Sequence, residues 1–396
     1  MGVLSVEQLH LDGPLQWALP PSKSHFIRWL ALAAQSSDTM RIGFSQEPGL
    51  DVVSMADCLE SLGARVERRQ GEWIVSGVGD VGFSNPGGTL DCGNSGTTAR
   101  FLMAIAAGMS EEIRIDGDDS LRGRDMSAIS GVLRDLGCSV SGDTLPLTVT
   151  GPLQMDSARL DLSTSSQPLS AVLLASPRFP FPIKLELDGS SVSRRYYEMS
   201  FEIAESCGSQ NRFCEGEIGI RPWKVIVPNH VTVPTEESLV PIAMLISELH
   251  QVRMELSGLS EIISPALTSL AEQSAVLDLR DESDMICPVS VLMAIGNGGR
   301  IIGAAHSRGK ESDRIGSTVY LLRAFGMDAQ ATEDGLEIPG GQSPSRPEFP
   351  IDSHRDHRLA MTAMVLASRC GGTISNHEIC SVSDPGFIPR LLGLGD

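Results

Sequence analysis

Lysine is almost missing from this chain of 396 residues: Lys23, Lys184, Lys224 and Lys310 are all there are, and arginine supplies the rest of the 31 basic side chains. Each lysine is therefore worth inspecting for a specific role. Basic charge as a whole is also short, because 50 acidic residues leave a net charge of −19. A field of that sign repels nucleic acid and anionic membranes, so neither is expected as a partner. Paired cysteines are missing too. Cys58, Cys92, Cys138, Cys207, Cys214, Cys287, Cys370 and Cys380 include no Cys-x-x-Cys and no close histidine at ligand spacing. Reduced thiols in a cytoplasmic protein without a metal follow from that scatter. The longest apolar stretches, such as residues 359–367, fall far short of the roughly 20 residues that span a bilayer. Residues 1–10 lack the basic and apolar regions of an export leader.

What remains is an ordinary globular composition, 41% hydrophobic and 20% charged, with 40 Gly and 23 Pro to punctuate it. At ~150 residues per domain the length implies two or three domains. A repeat shows at the helix ends. Leu59 to Val66, Leu133 to Val140 and Leu322 to Met327 each read as an amphipathic helix stopped by glycine, at Gly63, Gly137 and Gly326, and a weaker copy stops at Gly208. After the first three a turn and a second short strand follow, ending at Gly77, Gly151 and Gly340. A degraded copy around Leu267 to Gln273 fills the long gap, so about six units of roughly 60 to 70 residues tile the chain. Two domains of three units, in an α/β or α+β class, arrange them most simply. The alternative is that helix, glycine and hairpin form a common local solution and the spacing is coincidence.

Four segments could carry chemistry. Pro21-Ser22-Lys23-Ser24 leads into a helix with Arg28 one turn inward, so free N–H groups, hydroxyls and cations face an anion. Cys92-Gly93-Asn94-Ser95-Gly96-Thr97 repeats that design ahead of Arg100, where glycine lets backbone amides approach a phosphate or carboxylate. It is neither a Walker loop nor a G-x-G-x-x-G turn. Lys310-Glu311-Ser312-Asp313-Arg314 and Asp356-His357-Arg358 concentrate charge before apolar helices. Lys310 and Arg314, four apart, can face one side of a helix with Glu311 adjacent, which holds a carboxylate among cations. Taken singly, each segment also fits a capped helix or an exposed ion-pair cluster.

Together with Arg122-Gly123-Arg124, Ser165-Ser166-Gln167 and Ser193 with Tyr196, these segments resemble the enolpyruvyl transferases over nearly the whole chain. Lys-Glu-Ser-Asp-Arg with a downstream Asp-His-Arg is the most specific part of the match. The resemblance implies a two-domain inside-out α/β barrel, each domain three βαβαββ repeats, closing over its substrates. One domain is discontinuous: residues 1–18 plus 231–396, with 19–230 inserted. It implies transfer of the enolpyruvyl group of phosphoenolpyruvate to the 5-hydroxyl of shikimate 3-phosphate, by addition and elimination, with no metal or organic cofactor, in a monomer. By position, Lys23, Ser24, Arg28, Ser165, Ser166, Gln167, Ser193, Tyr196, Asp284 and Lys310 bind shikimate 3-phosphate. Lys23, Asn94, Gly96, Arg124, Gln167, Glu311, Arg314, His357 and Arg358 bind phosphoenolpyruvate. Lys23, Asp284, Glu311 and His357 are the catalytic set, with Glu311 the proton donor to carbon and Asp284 the base at the hydroxyl.

The chain also departs from the family pattern. Where members usually carry Lys-Ser-aromatic-Pro-x-Phe near the end, this one reads Val382-Ser383-Asp384-Pro385-Gly386-Phe387. A cation is lost from an anion site and Asp384 is added, unless Arg390 substitutes. Phe101, His306 and Glu236 stand where proline, asparagine and aspartate are common. These changes leave two further readings open, a divergent transferase with another cyclic acceptor and a homologue that binds without turnover. Transfer to a UDP-sugar fits less well, because that branch lacks Lys-Glu-Ser-Asp-Arg.

Overall fold

The structure, a computed structural model, describes residues 2–259, 264–273 and 275–395. It divides into two compact units, one of residues 1–21, 45–47 and 234–396, the other of residues 22–44 and 48–233. Each unit has its own apolar core. The chain leaves the inserted unit at 233 rather than 230. The reason is that strand His230–Thr232 pairs in parallel with Thr39–Gly43, so a boundary at 230/231 would cut a strand of that unit's sheet.

In the inserted unit three sheets share one plan, a parallel pair and then an antiparallel neighbour, and in the second and third a helix joins the two parallel strands. His230–Thr232, Thr39–Gly43, Glu72–Ser76 and Arg65–Arg69 form the first, and Thr89–Asp91, Ile113–Asp116, Leu147–Thr150 and Ser139–Val140 the second. Ser157–Asp161, Ile183–Asp188 and Glu217–Ile220 form the third. Their helices are Lys23–Ala33, Gly96–Ala106 and Gln167–Ala175, almost wholly buried. A helix that is apolar all round has to sit inside its unit with sheets outside it.

Two sheets of the other unit repeat the plan, and its third is a parallel pair alone. Leu15–Ala18 runs parallel to Met254–Ser257, Val276–Asp278 to Gly298–Ile302, and Ile351–Asp352 to Gly372–Ser375. The buried helices are Val240–His250, Ile286–Ile295 and His357–Cys370. Gly298–Ile302 continues antiparallel into Leu336–Pro339, and Gly372–Ser375 into Val3–Val6.

The four marker glycines, Gly63, Gly137, Gly208 and Gly326, all have positive φ, which a residue without Cβ adopts cheaply. The degraded copy is a helix Pro265–Ala271 followed by Gln273, which takes the same left-handed conformation at φ 56°. At the hairpin ends a Cβ on Gly77 or Gly151 would run into the backbone of Ala33 or Ala107, the ends of two inner helices. The repeated glycines thus let sheet and helix touch. Among the described residues no helix is long and apolar enough to cross a membrane.

Candidate active site

In the inserted unit the inner helices start at one end. Lys23, first residue of its helix, donates from Nζ to Asp51 Oδ2 at 3.0 Å, and Asp51 O accepts from Thr98 Oγ1 at 3.4 Å. Gln167 Nε2 donates to Thr97 Oγ1 at 3.1 Å, and Gln167 Oε1 accepts from Arg100 Nη1 at 2.8 Å. These bonds tie the N-termini at Lys23, Gly96 and Gln167 to one another, and helix N-termini together favour negative charge. Arg124 joins the group by donating from Nη2 to Asn94 Oδ1 at 2.7 Å, while Asn94 Nδ2 donates to Asp118 Oδ2 at 2.9 Å. A Cβ on Gly96 would lie 2.8 Å from Arg100 Nη1 and 3.3 Å from Arg124 Nη1, so a side chain there would push the Arg100 guanidinium aside.

Arg28 lies buried beside Ser24. It is 1% exposed and donates to Ser24 O, Ser200 Oγ, Ser170 Oγ and Tyr196 O. Burial pulls its pKa down to about 10. It therefore braces Ser24 and Tyr196 from below. Ser166 and Ser193 are buried, Ser165 Oγ accepts from Gln167 N at 3.2 Å, and Ser193 holds a left-handed conformation at φ 54° just before helix Arg194–Ser206.

In the other unit the charge gathers on Arg314. Its Nε donates to Asp356 Oδ2 at 2.8 Å, Nη1 to Asp284 Oδ1 at 2.5 Å, and Nη2 to Glu311 Oε2 at 2.6 Å and Asp356 Oδ1 at 3.3 Å. Burial opposes the charge on Arg314, but Asp356, Glu311 and Asp284 outweigh it and hold its pKa well above the ordinary value. Asp356, fully buried, also accepts from Ser312 Oγ at 2.9 Å and caps the next helix by accepting from Arg358 N at 2.9 Å. Arg358 donates to Ser238 O and Oγ at 3.0 and 2.7 Å, and from Nε to His357 Nε2 at 3.1 Å, which requires a neutral imidazole.

Lys310 does not share a helix face with Arg314. The helix begins at Arg314 with Asp313 as its cap, and Lys310 ends the preceding 3-10 turn Ala305–Gly309. Asp313 both accepts from Gly316 N and pairs with Arg308, which stops the helix from extending back to Lys310. His306, in that turn, has its pKa pushed down to about 4 by burial and then by Lys310, so it is neutral near pH 7.

At the tail, Arg390 is not a spare cation. It pairs with Asp384, and its guanidinium lies 4.6 Å from the Trp17 ring centroid. Burial raises the Asp384 pKa against the opposing pull of Arg390. Among the described residues no group of three or more His, Cys, Asp or Glu is arranged to hold a metal ion.

Sequence reasoning missed the supports. Asp51 holds Lys23, Asp118 holds Asn94, and Ser238 holds Arg358. Their signal is faint: Asp51 follows Pro48-Gly49 at a helix start, and Asp118 caps the short helix Asp119–Arg122.

With that geometry in place, comparison with known proteins is informative. The family model of EPSP synthase (3-phosphoshikimate 1-carboxyvinyltransferase) matches residues 9–212 and 218–391. The 3-phosphoshikimate 1-carboxyvinyltransferase of Methanothermobacter thermautotrophicus is 30% identical, with 99% of this chain and 98% of the relative covered. That of Acidiphilium cryptum is 31% identical over 95% of this chain and 93% of the relative. In fold, the chain is similar to EPSP synthase from Acinetobacter baumannii, with a TM-score of 0.78 at 22% identity, covering 99% of this chain and 98% of that one.

Proposed function

This chain belongs to the EPSP synthase (3-phosphoshikimate 1-carboxyvinyltransferase) family, and from that premise we propose how its own side chains divide the work. The reaction is transfer of the enolpyruvyl group of phosphoenolpyruvate to the 5-hydroxyl of shikimate 3-phosphate with release of phosphate, a step of aromatic amino-acid biosynthesis. The chemistry needs a proton delivered to the methylene carbon, a proton taken from the hydroxyl, and cations for the anionic groups.

Glu311 delivers the proton to carbon and later takes one back from the methyl group as phosphate leaves. Asp284 takes the hydroxyl proton. The observation that carries this assignment is the single guanidinium of Arg314, which holds Glu311 and Asp284 on its two terminal nitrogens and so fixes donor and base side by side. Lys23, Asn94, Gly96, Arg124 and Gln167, and with them Arg314, His357 and Arg358, bind phosphoenolpyruvate. The helix N-termini at Lys23, Gly96 and Gln167 support the first five assignments. Ser24, Ser165, Ser166, Ser193 and Tyr196 bind the phosphoshikimate together with Lys23, Gln167, Asp284 and Lys310, and Arg28 acts from beneath by bracing Ser24 and Tyr196.

The enzyme is taken to be a monomer of the cytoplasm that needs neither metal nor organic cofactor, and the eight free cysteines fit a reducing compartment. The test is phosphate release on mixing the protein with both substrates. The native chain is expected to release phosphate and Glu311→Gln to lose at least ~100-fold of the rate, within the range of general acid catalysis. Equal traces would remove Glu311 from its role.

A further inference from the structure

The helix Gly96–Ala106 starts at the candidate site and, 11 residues or ~16 Å later, ends beside a cavity of about 230 Å³. No residue assigned to the reaction lines it. Phe83, Ile105 and Met109 give it apolar walls, and Ser110, Glu111 and Arg178 bring polar groups. Arg178 ends the short turn that follows the helix Gln167–Ala175. Its Nη2 donates to two backbone carbonyls, Gln35 O at 2.8 Å and Gly79 O at 2.6 Å. The guanidinium carbon also lies 5.9 Å from the centre of the Phe83 ring.

Those contacts hold the guanidinium still without using up its donors. Nε is buried with no hydrogen-bond partner among the described residues, and Nη1 carries neither of the carbonyl bonds. Burial pulls the Arg178 pKa down while Asp80 pulls it up, and a guanidinium stays charged near pH 7. Charge of the opposite sign belongs to the same cavity. Ile105 O and Ala106 O accept from Gly108 N and Met109 N at the carbonyl end of the helix, which favours a cation. Glu111 adds a full negative charge there, and its Oε2 accepts from Ser110 Oγ at 3.2 Å.

We propose that this cavity binds a small zwitterion with an apolar side chain, a hydrophobic α-amino acid, through Arg178 on its carboxylate and Glu111 with the helix end on its ammonium. The volume lies below the ~300–1,000 Å³ of sites for drug-sized ligands, which suits a small metabolite. The charges exclude simpler ligands. A plain carboxylate meets Glu111 as a like charge, a plain amine meets Arg178, and a neutral apolar molecule desolvates both without pairing either. Phe83, Ile105 and Met109 take the apolar side chain. The proposal is independent of the reaction assigned above, since the two sites share no residue.

The experiment titrates L-leucine into the native protein by calorimetry, alongside 4-methylpentanoate, which lacks the ammonium, and 3-methylbutylamine, which lacks the carboxylate. Saturable binding of leucine is expected, with each truncated ligand at least ~10-fold weaker for the loss of one charge-assisted contact. Glu111 is exposed, so Glu111→Gln keeps the fold; it should weaken leucine ~10-fold and leave 4-methylpentanoate no weaker. Arg178→Gln should abolish binding of both carboxylates. Because Arg178 also holds Gln35 O and Gly79 O, phosphate release by that variant is measured in parallel. Where the release is lost, the Glu111→Gln comparison decides alone. No saturable binding of leucine at about 10 mM overturns the proposal, and so does equal binding of a truncated ligand or an unchanged leucine affinity in Glu111→Gln. Leucine displaced by shikimate 3-phosphate would lie in the candidate active site, which overturns it as well.

Discussion

Replacing Asp356 by Asn swaps one oxygen for an NH2 group at the point where Arg314, Ser312 and the start of helix His357–Cys370 meet. If the amide oxygen stays toward Arg358 N, the cap survives but the NH2 group faces Arg314 Nε. If it flips, the bonds from Arg314 Nε and Ser312 survive and the NH2 group faces Arg358 N. In both orientations one charge-assisted bond is lost and one buried donor is left facing another, which together destabilise by about 3 kcal/mol. The figure lies at the low end of the ~3–5 kcal/mol for a broken buried pair, because Asp284 and Glu311 still face Arg314. Amide hydrogen exchange resolves it by unit. Protection across residues 357–370 should fall roughly 100-fold, while the helix Gly96–Ala106 of the other unit serves as an unaffected reference. Protection within about twofold of native in residues 357–370 would show that Asp356 does not hold this end of the unit together.

Three further outcomes are expected. Asp51→Asn removes the charge opposite Lys23 and should raise the KM for phosphoenolpyruvate by about tenfold with a smaller change in kcat; an unchanged KM would detach Lys23 from that substrate. His306 has a folded pKa of about 4 against an ordinary 6.5, so the unfolded chain binds the extra proton first. Its contribution to stability is present above pH 6.5 and lost as pH falls through 4, amounting to at most about 3 kcal/mol, and the acid limb of a denaturation series should be shallower in His306→Asn. Arg390→Ala leaves Asp384 buried beside an empty partner position and should destabilise by ~3 kcal/mol in urea titrations, whereas adding Asp384→Ala should restore part of that loss.

The repeat was legible because its physics is local. A helix that must stop before a hairpin takes a left-handed residue, and glycine records that need at Gly63, Gly137, Gly208 and Gly326. Where Gln273 does the same job the mark is faint. The strand pairings that complete each unit could not be read so directly, since His230–Thr232 beside Thr39–Gly43 depends on contacts far apart in sequence. Among the candidate site residues, motif spacing pointed to Glu311, Arg314, His357 and Arg358, but the bonds of Asp51 to Lys23 and of Ser238 to Arg358 leave no pattern. Lys310 lies outside the helix because Asp313 caps it, and the burial of Arg28 among serines from two other helices, Ser170 and Ser200, left no mark in the sequence.

The pairing of Val3–Val6 with Gly372–Ser375, and of Leu15–Ala18 with Met254–Ser257, sets an order of events during synthesis. Residues 22–233 emerge as one run containing every strand of the inserted unit, so that unit can condense while translation continues. The first strands of the other unit are born early and wait for their partners, Leu15–Ala18 until Met254–Ser257 leaves the ribosome and Val3–Val6 until Gly372–Ser375 does, tens of seconds at ~5–20 residues per second. A nascent chain stalled near residue 300 should accordingly hold one protease-resistant body with a digestible N-terminal arm.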